Sequence, residues 1–268
     1  MMSMALNTVP AFAKDELTKM RARFEHDGYL QIDSLTTADD VEKIRSLLQP
    51  LFDNFDAMGR HAVDLAGPGD GTSPPRQPEI NDALQFAPDL RNTLAFERCS
   101  KIAHALLGVP VGCIFDHAIY KPPHNKTATA WHQDAIYVQG SLEPRAVNFW
   151  IPLQPATIEN GCMWYLPESH KSGMLPHHVI MERPGGESAY SKGKSFAMDT
   201  VDETRAVACP VEVGGATVHD PFNAHYAGPN NTDGWRRAWI LHFGAYGKLR
   251  NKLHPKAVAD KLRGLVGH

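Results

Sequence analysis

The stretch "WHQDAIY", residues 131–137, sets His132 and Asp134 two positions apart among aromatic and apolar neighbours. In an extended chain, positions i and i+2 share a face. The alternation therefore predicts His132 and Asp134 pointing one way, with Trp131 and Gln133 pointing the other. An imidazole beside a carboxylate offers two ligands to a divalent metal. Alone, the pair fits a surface or mutually hydrogen-bonded dyad equally well. A second stretch, "HDPFNAHYAGPNNTDGWRRAW", adds His225 near the end of a predicted strand, then a polar turn, then Arg236 on the next strand. Two histidines and one carboxylate on one face of a metal leave three positions open, the arrangement of non-haem Fe(II) oxygenases. Arg236 lies eleven residues beyond His225, across an expected hairpin, near the metal but out of ligand reach. A guanidinium there offers the fixed fork of donors that suits a carboxylate. Arg237 is expected on the opposite face.

The elements that must position these residues fall into two textures. In the first third, "KDELTKMRARFEHDG", "TTADDVEKIRSLLQPLF" and "DLRNTLAFERCSKIAHALLG" carry apolar residues at helical spacing, with a Thr start signal in the second and glycine stops in the first and third. "YLQIDSL" between the first two predicts a short strand. "DLAGPGDGTSPPRQPEI" is too rich in Gly and Pro for a helix or central strand and predicts a long loop. Beyond Gly108, short runs rich in Val, Ile, Phe, Trp and Tyr alternate with turn residues, the pattern of an all-β sandwich or barrel. "TIENGCMW" supplies an Asn-Gly hairpin signal. The polar segment "MERPGGESAYSKGKSFAMDTVDE" reads as a second long loop. Residues 67–78 and 182–203 are expected to cover the barrel mouth. The organisation expected is one domain over 1–268: a helical part about 13–108, a β core about 109–247, and a tail about 248–268.

His132-x-Asp134, His225 and Arg236, with the run "HYAGPNNTDGWR" and the stretch "NFWIPLQPATIENGCMWYLPESHKSG", resemble the phytanoyl-CoA dioxygenase family of Fe(II)/2-oxoglutarate oxygenases. The resemblance covers roughly residues 15 to 245. It implies a mainly β fold with N-terminal helices, built as a distorted double-stranded β-helix, a jelly-roll or cupin-like barrel. It implies His132, Asp134 and His225 as Fe(II) ligands, Arg236 as partner of the distal carboxylate of 2-oxoglutarate, and Trp150 lining the cosubstrate pocket. O2 would complete the reactants, and hydroxylation of an unactivated C–H would release succinate and CO2. Many members carry a hydroxyl residue two positions after the distal histidine. Here that position is Ala227, so another donor, Thr129 or Tyr120, or else water is expected in its place. Lys121, ending a strand just before the metal segment, is a further candidate for touching cosubstrate or substrate. Asp134 excludes the related halogenases, which place a small residue there. Trp131, Tyr137, Phe149 and Trp150 are candidates for a dry wall around the site. His219-Asp220 has side chains on opposite faces and reads as a poor chelating pair. His242, His170, His177 and His178 lack partners at metal spacing.

Composition narrows the partners. The net charge of −3 and the absence of a basic stripe leave no footprint for nucleic acid. No apolar run is long enough to span a bilayer, and no signal peptide is recognisable at the N-terminus. The four scattered cysteines form no disulfide framework and predict reduced thiols in a cytoplasm. The expected partner is a small-molecule substrate, with Arg76 and Arg145 as isolated candidates for an anionic group. Two other readings share the His/Asp/His set: a cupin-like metal-binding module without turnover, and a zinc hydrolase. Arg236 and Trp150 speak against the module. The lack of a glutamate at fixed spacing, as in HExxH, speaks against the hydrolase.

Overall fold

The computed structural model describes residues 11–67, 76–138, 145–182 and 193–245. The expected tail, the first ten residues, and the centres of both expected mouth loops lie outside these. Helix α1 (Lys14–Asp27) ends where Gly28 turns left-handed, at φ 82°, and its amide returns to the Phe24 carbonyl. Strand β1 (Tyr29–Ile32) follows, then α2 (Ala38–Asp53), which Thr37 caps by accepting from the Asp40 amide. Asp40 in turn accepts from the amides of Leu94 and Ala95. It thereby ties α2 to the start of another helix of this layer. Strands β2 (Ala62–Asp64) and β3 (Pro78–Asn81) pair with each other. The Gly/Pro-rich stretch read as loop thus ends in a strand. Proline is tolerated at the head of β3 because a first strand position need not donate. The short α3 (Ala83–Phe86) and then α4 (Leu94–Leu107) complete the helical part.

The β region runs β4 (Val111–Lys121), β5 (Thr129–His132), β6 (Ala146–Pro152), β7 (Met163–Tyr165), β8 (His177–Glu182), β9 (Lys194–Met198), β10 (Val207–Cys209), β11 (Ala216–His219), β12 (His225–Ala227) and β13 (Arg236–Ala245). Every pairing among them is antiparallel. A seven-stranded sheet has the order β1-β11-β6-β13-β4-β3-β2, and a four-stranded sheet the order β10-β7-β12-β5. Helices cover one face of the larger sheet: Ile44, Leu48 and Ile102 share a core with Ile80, Phe149, Val218, Trp239 and Leu241. The alternate residues of the same strands face the smaller sheet, where Trp150, Ala238 and Ile240 pack with Met163, Tyr165 and Ala227. This is the expected double-stranded β-helix, with the site between its sheets.

Three local expectations are corrected. The polar segment 181–203 is not all loop, because it holds the end of β8 and all of β9, which pair as a two-stranded arm. Its mix of exposed, half-buried and buried side chains lacks a clean apolar alternation. The Asn-Gly turn at 160–161 exists, with Gly161 at φ 88°. It links β6 and β7, however, which lie in different sheets. Likewise β12 and β13 form no hairpin. The polar turn carries the chain from the smaller sheet to the larger. No helix among the described residues is long and apolar enough to cross a membrane.

Candidate metal centre and anion pocket

His132 ends β5 and His225 opens β12, and the two stand opposite each other in the ladder. Asp134 reaches them differently from the alternation first expected. The strand stops at His132, and Asp134 begins a 3-10 turn over Asp134–Val138. Two features pin that turn. The Ala135 amide donates to the Pro221 carbonyl at 3.0 Å. Fully buried Gln133 holds the carbonyls of Gly173 and Phe222 with its amide nitrogen and accepts from the Leu175 amide. One ligand atom from each of His132, Asp134 and His225 lies within 4.8 Å of the others.

The hydrogen bonds fix which atoms are offered. His132 Nδ1 lies 2.8 Å from the Ala130 carbonyl, and His225 Nδ1 lies 2.9 Å from that of Asn223. A carbonyl only accepts, so both Nδ1 atoms carry the proton, and in the neutral rings both Nε2 atoms present lone pairs. Burial, together with neighbouring His225, lowers the pKa of His132 and favours its neutral form. The two Nε2 atoms stand 3.3 and 3.5 Å from Asp134 Oδ1. Three electron-rich atoms thus converge with no proton set between them, the donor set a divalent cation requires.

The other carboxylate oxygen is already engaged. Asn148 donates to Asp134 Oδ2, and His219 Nε2 lies 3.0 Å from it. With His219 Nε2 donating, its Nδ1 accepts from the Tyr165 hydroxyl at 3.1 Å, and Thr217 lies 2.7 Å beyond. Oδ1 alone is therefore left for a metal. The sequence reading set His219 aside as a poor chelator. It is instead a brace on the chelating carboxylate, and Asn148 was missed. A signal for Asn148 existed, since it sits two positions before Trp150 and so shares its inward face.

A second cluster lies along β13 and β4. Arg236 and Lys121 face each other in register, and both are buried. The guanidinium carbon sits 5.5 Å over the Trp150 ring. Arg236 Nε has no hydrogen-bond partner among the described residues, and burial pushes its pKa down to about 10. Lys121 Nζ donates to the carbonyls of Ala227 and Gly228, at 3.3 and 2.8 Å. Burial first, and then Arg236, holds its pKa well below the usual lysine range. Two adjacent buried cations call for an anion. Thr129 pairs with Ala227 across β5 and β12 and lines the cavity beside His132. Tyr120, the other expected donor, faces the helices and stacks on Phe52, so it is no candidate. Arg237 also lies on that outer face, over Tyr120 and Trp235.

The open side of the metal centre is a cavity walled by Phe115, His117, Tyr137, Phe196, Met181 and Thr129, among others. Of the aromatic residues expected there, Tyr137 and Trp150 face inward. Trp131 turns away to donate to Glu203, and Phe149 belongs to the helix-side core. Arg76 and Arg145 are exposed and do not enter the cavity.

Residues 24–238 match the family model described as phytanoyl-CoA dioxygenase (PhyH). Peroxisomal phytanoyl-CoA dioxygenase of Rattus norvegicus is 24% identical over 241 residues, covering 85% of this chain and 68% of that protein. EvdO2 from Micromonospora carbonacea var. aurantiaca, crystallised with 2-oxoglutarate, is 33% identical with a TM-score of 0.69, covering 89% of this chain and 93% of its own. The epimerase SnoN, in complex with Fe3+, alpha ketoglutarate and nogalamycin RO, is 21% identical with a TM-score of 0.66. It covers 87% of this chain and 85% of that one, and at this identity it shows the shared fold alone.

Proposed function

The chain belongs to the phytanoyl-CoA dioxygenase family of Fe(II)- and 2-oxoglutarate-dependent oxygenases, and on that premise we propose how its own residues divide the work. His132 and His225 hold Fe(II) through Nε2 and Asp134 through Oδ1. Asn148 and His219 keep Oδ2 occupied, so the carboxylate binds through one oxygen and leaves three positions for reactants. Arg236 pairs with the distal carboxylate of 2-oxoglutarate, with Trp150 packed beside it. Thr129 supplies the hydroxyl that Ala227 lacks. Lys121 fixes the Ala227–Gly228 backbone and adds positive potential to the same pocket. Fe(II), 2-oxoglutarate and O2 together supply an oxidant able to break an unactivated C–H, with release of succinate and CO2. Tyr137, Phe115 and Phe196 keep water from that centre.

The observation that carries this reading is the pairing of a bare His/Asp/His set with two buried cations in one barrel. A metal-holding module without turnover, or a zinc hydrolase, has no use for the second half. The substrate is a small organic molecule, hydroxylated within a single oxygenase domain. No disulfide joins Cys99, Cys113, Cys162 or Cys209, which fits the reducing cytoplasm. Succinate formation from 2-oxoglutarate, with Fe(II), ascorbate and O2, tests the reading. Metal-dependent turnover that rises with a substrate is expected. No succinate from iron-loaded protein across a broad metabolite set would refute it.

A further inference from the structure

The cavity wall opposite the ligand histidines is more polar than the exclusion of water requires. Gln77, Glu79 and Asn81 alternate along β3 and its approach, so all three side chains face the cavity. Asn81 stands opposite His117 in β4. Glu79 Oε1 lies 2.6 Å from His117 Nδ1, and His117 Nε2 lies 3.1 Å from His242 Nε2. Of these only His242 figured in the sequence expectations, as a histidine without a partner at metal spacing, and the oxygenase chemistry uses none. Gln77 and Asn81 are 2% and 3% exposed. Yet Gln77 Oε1, an acceptor, and Asn81 Nδ2, a donor, have no hydrogen-bond partner among the described residues. The backbone at Gln77 is held in place, because its main-chain N–H donates to Asp64 Oδ1 at 2.9 Å and its main-chain carbonyl accepts from the Leu65 N–H at 2.9 Å.

Buried polar groups are met by hydrogen-bond partners, from protein, water or ligand. An occupant of this cavity that ignored Gln77 and Asn81 would leave both desolvated and bare. A hydrocarbon chain offers neither a donor nor an acceptor. A carboxylate offers acceptors only, and would lie against the Glu79 side chain. A hydroxyl group offers both. Gln77 and Asn81 are separated by about 13 Å of strand, more than one hydroxyl spans, so matching groups must occur along the molecule. Among the described residues lining the cavity, Lys194 on the two-stranded arm is the one lysine or arginine. A thioester of a multiply phosphorylated carrier would find little positive charge there.

We propose that Gln77, Glu79 and Asn81, backed by His117 and His242, form a recognition wall for a neutral, hydroxyl-rich substrate, a polyol or saccharide. The proposal rests on the oxygenase reading and names the substrate class of that same site. Anaerobic protein loaded with Fe(II) and 2-oxoglutarate would be titrated calorimetrically with three probe sets. These are methyl glycosides with common disaccharides, the proteinogenic amino acids, and octanoyl- and palmitoyl-CoA. Binding within the saccharide set is expected, with affinity at least about tenfold weaker in both Gln77→Leu and Asn81→Leu. Thermal unfolding and 2-oxoglutarate affinity within about twofold of wild type show that each variant is folded. Wild-type protein that binds 2-oxoglutarate but no saccharide overturns the wall. So does preference for the amino acids or thioesters, or saccharide binding untouched by both substitutions. Failure of wild type to bind 2-oxoglutarate at all overturns the oxygenase reading instead.

Discussion

Arg236→Gln removes the one guanidinium placed to take the far end of the cosubstrate. The side chain is buried at 2% exposure, stacked near Trp150, with its Nε unpartnered among the described residues. Any carboxylate meeting it is itself withdrawn from water. Truncating one partner of such a pair costs about 2–5 kcal/mol, or roughly 30- to several-thousand-fold in affinity. Lys121, its register partner, keeps one positive charge in the pocket and draws the loss toward the lower end of that range. The apparent KM for 2-oxoglutarate should rise at least about 30-fold, with iron content unchanged by elemental analysis. The ligand-free variant should unfold no earlier than wild type, because a buried charge beside a second cation is gone. Arg237→Gln is the control from the opposite face. It disturbs the outer cleft at Tyr120 and Trp235, and should change the same KM by less than about threefold, an effect under about 1 kcal/mol. Equal KM values for the two variants, or a larger effect for Arg237→Gln, would show that the cosubstrate lies elsewhere.

Three further outcomes follow from the geometry. His225→Ala should lose most bound iron while far-ultraviolet circular dichroism stays unchanged; full iron occupancy would remove His225 from the ligand set. His219→Ala and Asn148→Ala leave all three ligands in place but free Asp134 Oδ2. Each should weaken iron binding about 10- to 100-fold, and unchanged affinity in competition with a chelator would count against their bracing role. Asp116 accepts from Trp239 Nε1 and the Leu84 amide in the helix-side core, and burial raises its pKa from 3.8 to about 6. Between about pH 4 and 6 the native state binds the extra proton, so this group lowers stability as pH rises through that window, by about 3 kcal/mol in full. Asp116→Asn should flatten that slope in urea melts, and an unaltered pH profile would refute the assignment.

His132, His225 and Arg236 stood out as candidates because their chemistry is rare among apolar strand residues and because His132 lies two residues from Asp134 and His225 eleven from Arg236. Asp134 was found for the wrong geometric reason. Alternation predicted its direction, whereas a 3-10 turn pinned by Gln133 and Pro221 supplies it. Asn148 and His219 come from β6 and β11, and their meeting at one carboxylate oxygen depends on a register between segments about seventy residues apart, which neither segment encodes alone. The supposed hairpin from His225 to Arg236 failed for a related reason. A polar turn signals a reversal but not whether the next strand joins the same sheet. The helices were legible from caps and glycine stops, whereas the β8–β9 arm was not, since its partly buried side chains follow no clean apolar period.

His132 and His225 are direct partners across β5 and β12, yet 93 residues separate them along the chain (225 − 132). In the unfolded polypeptide only His132 and Asp134 are near each other, and two ligands hold a metal weakly. The third arrives after β6 to β11 have been laid down and β12 has found β5. Closing so long a loop carries an entropic cost that the sheet contacts must meet before the metal can contribute. On the proposed ligand set, an ion would enter a finished pocket and so favour the native chain over the unfolded one.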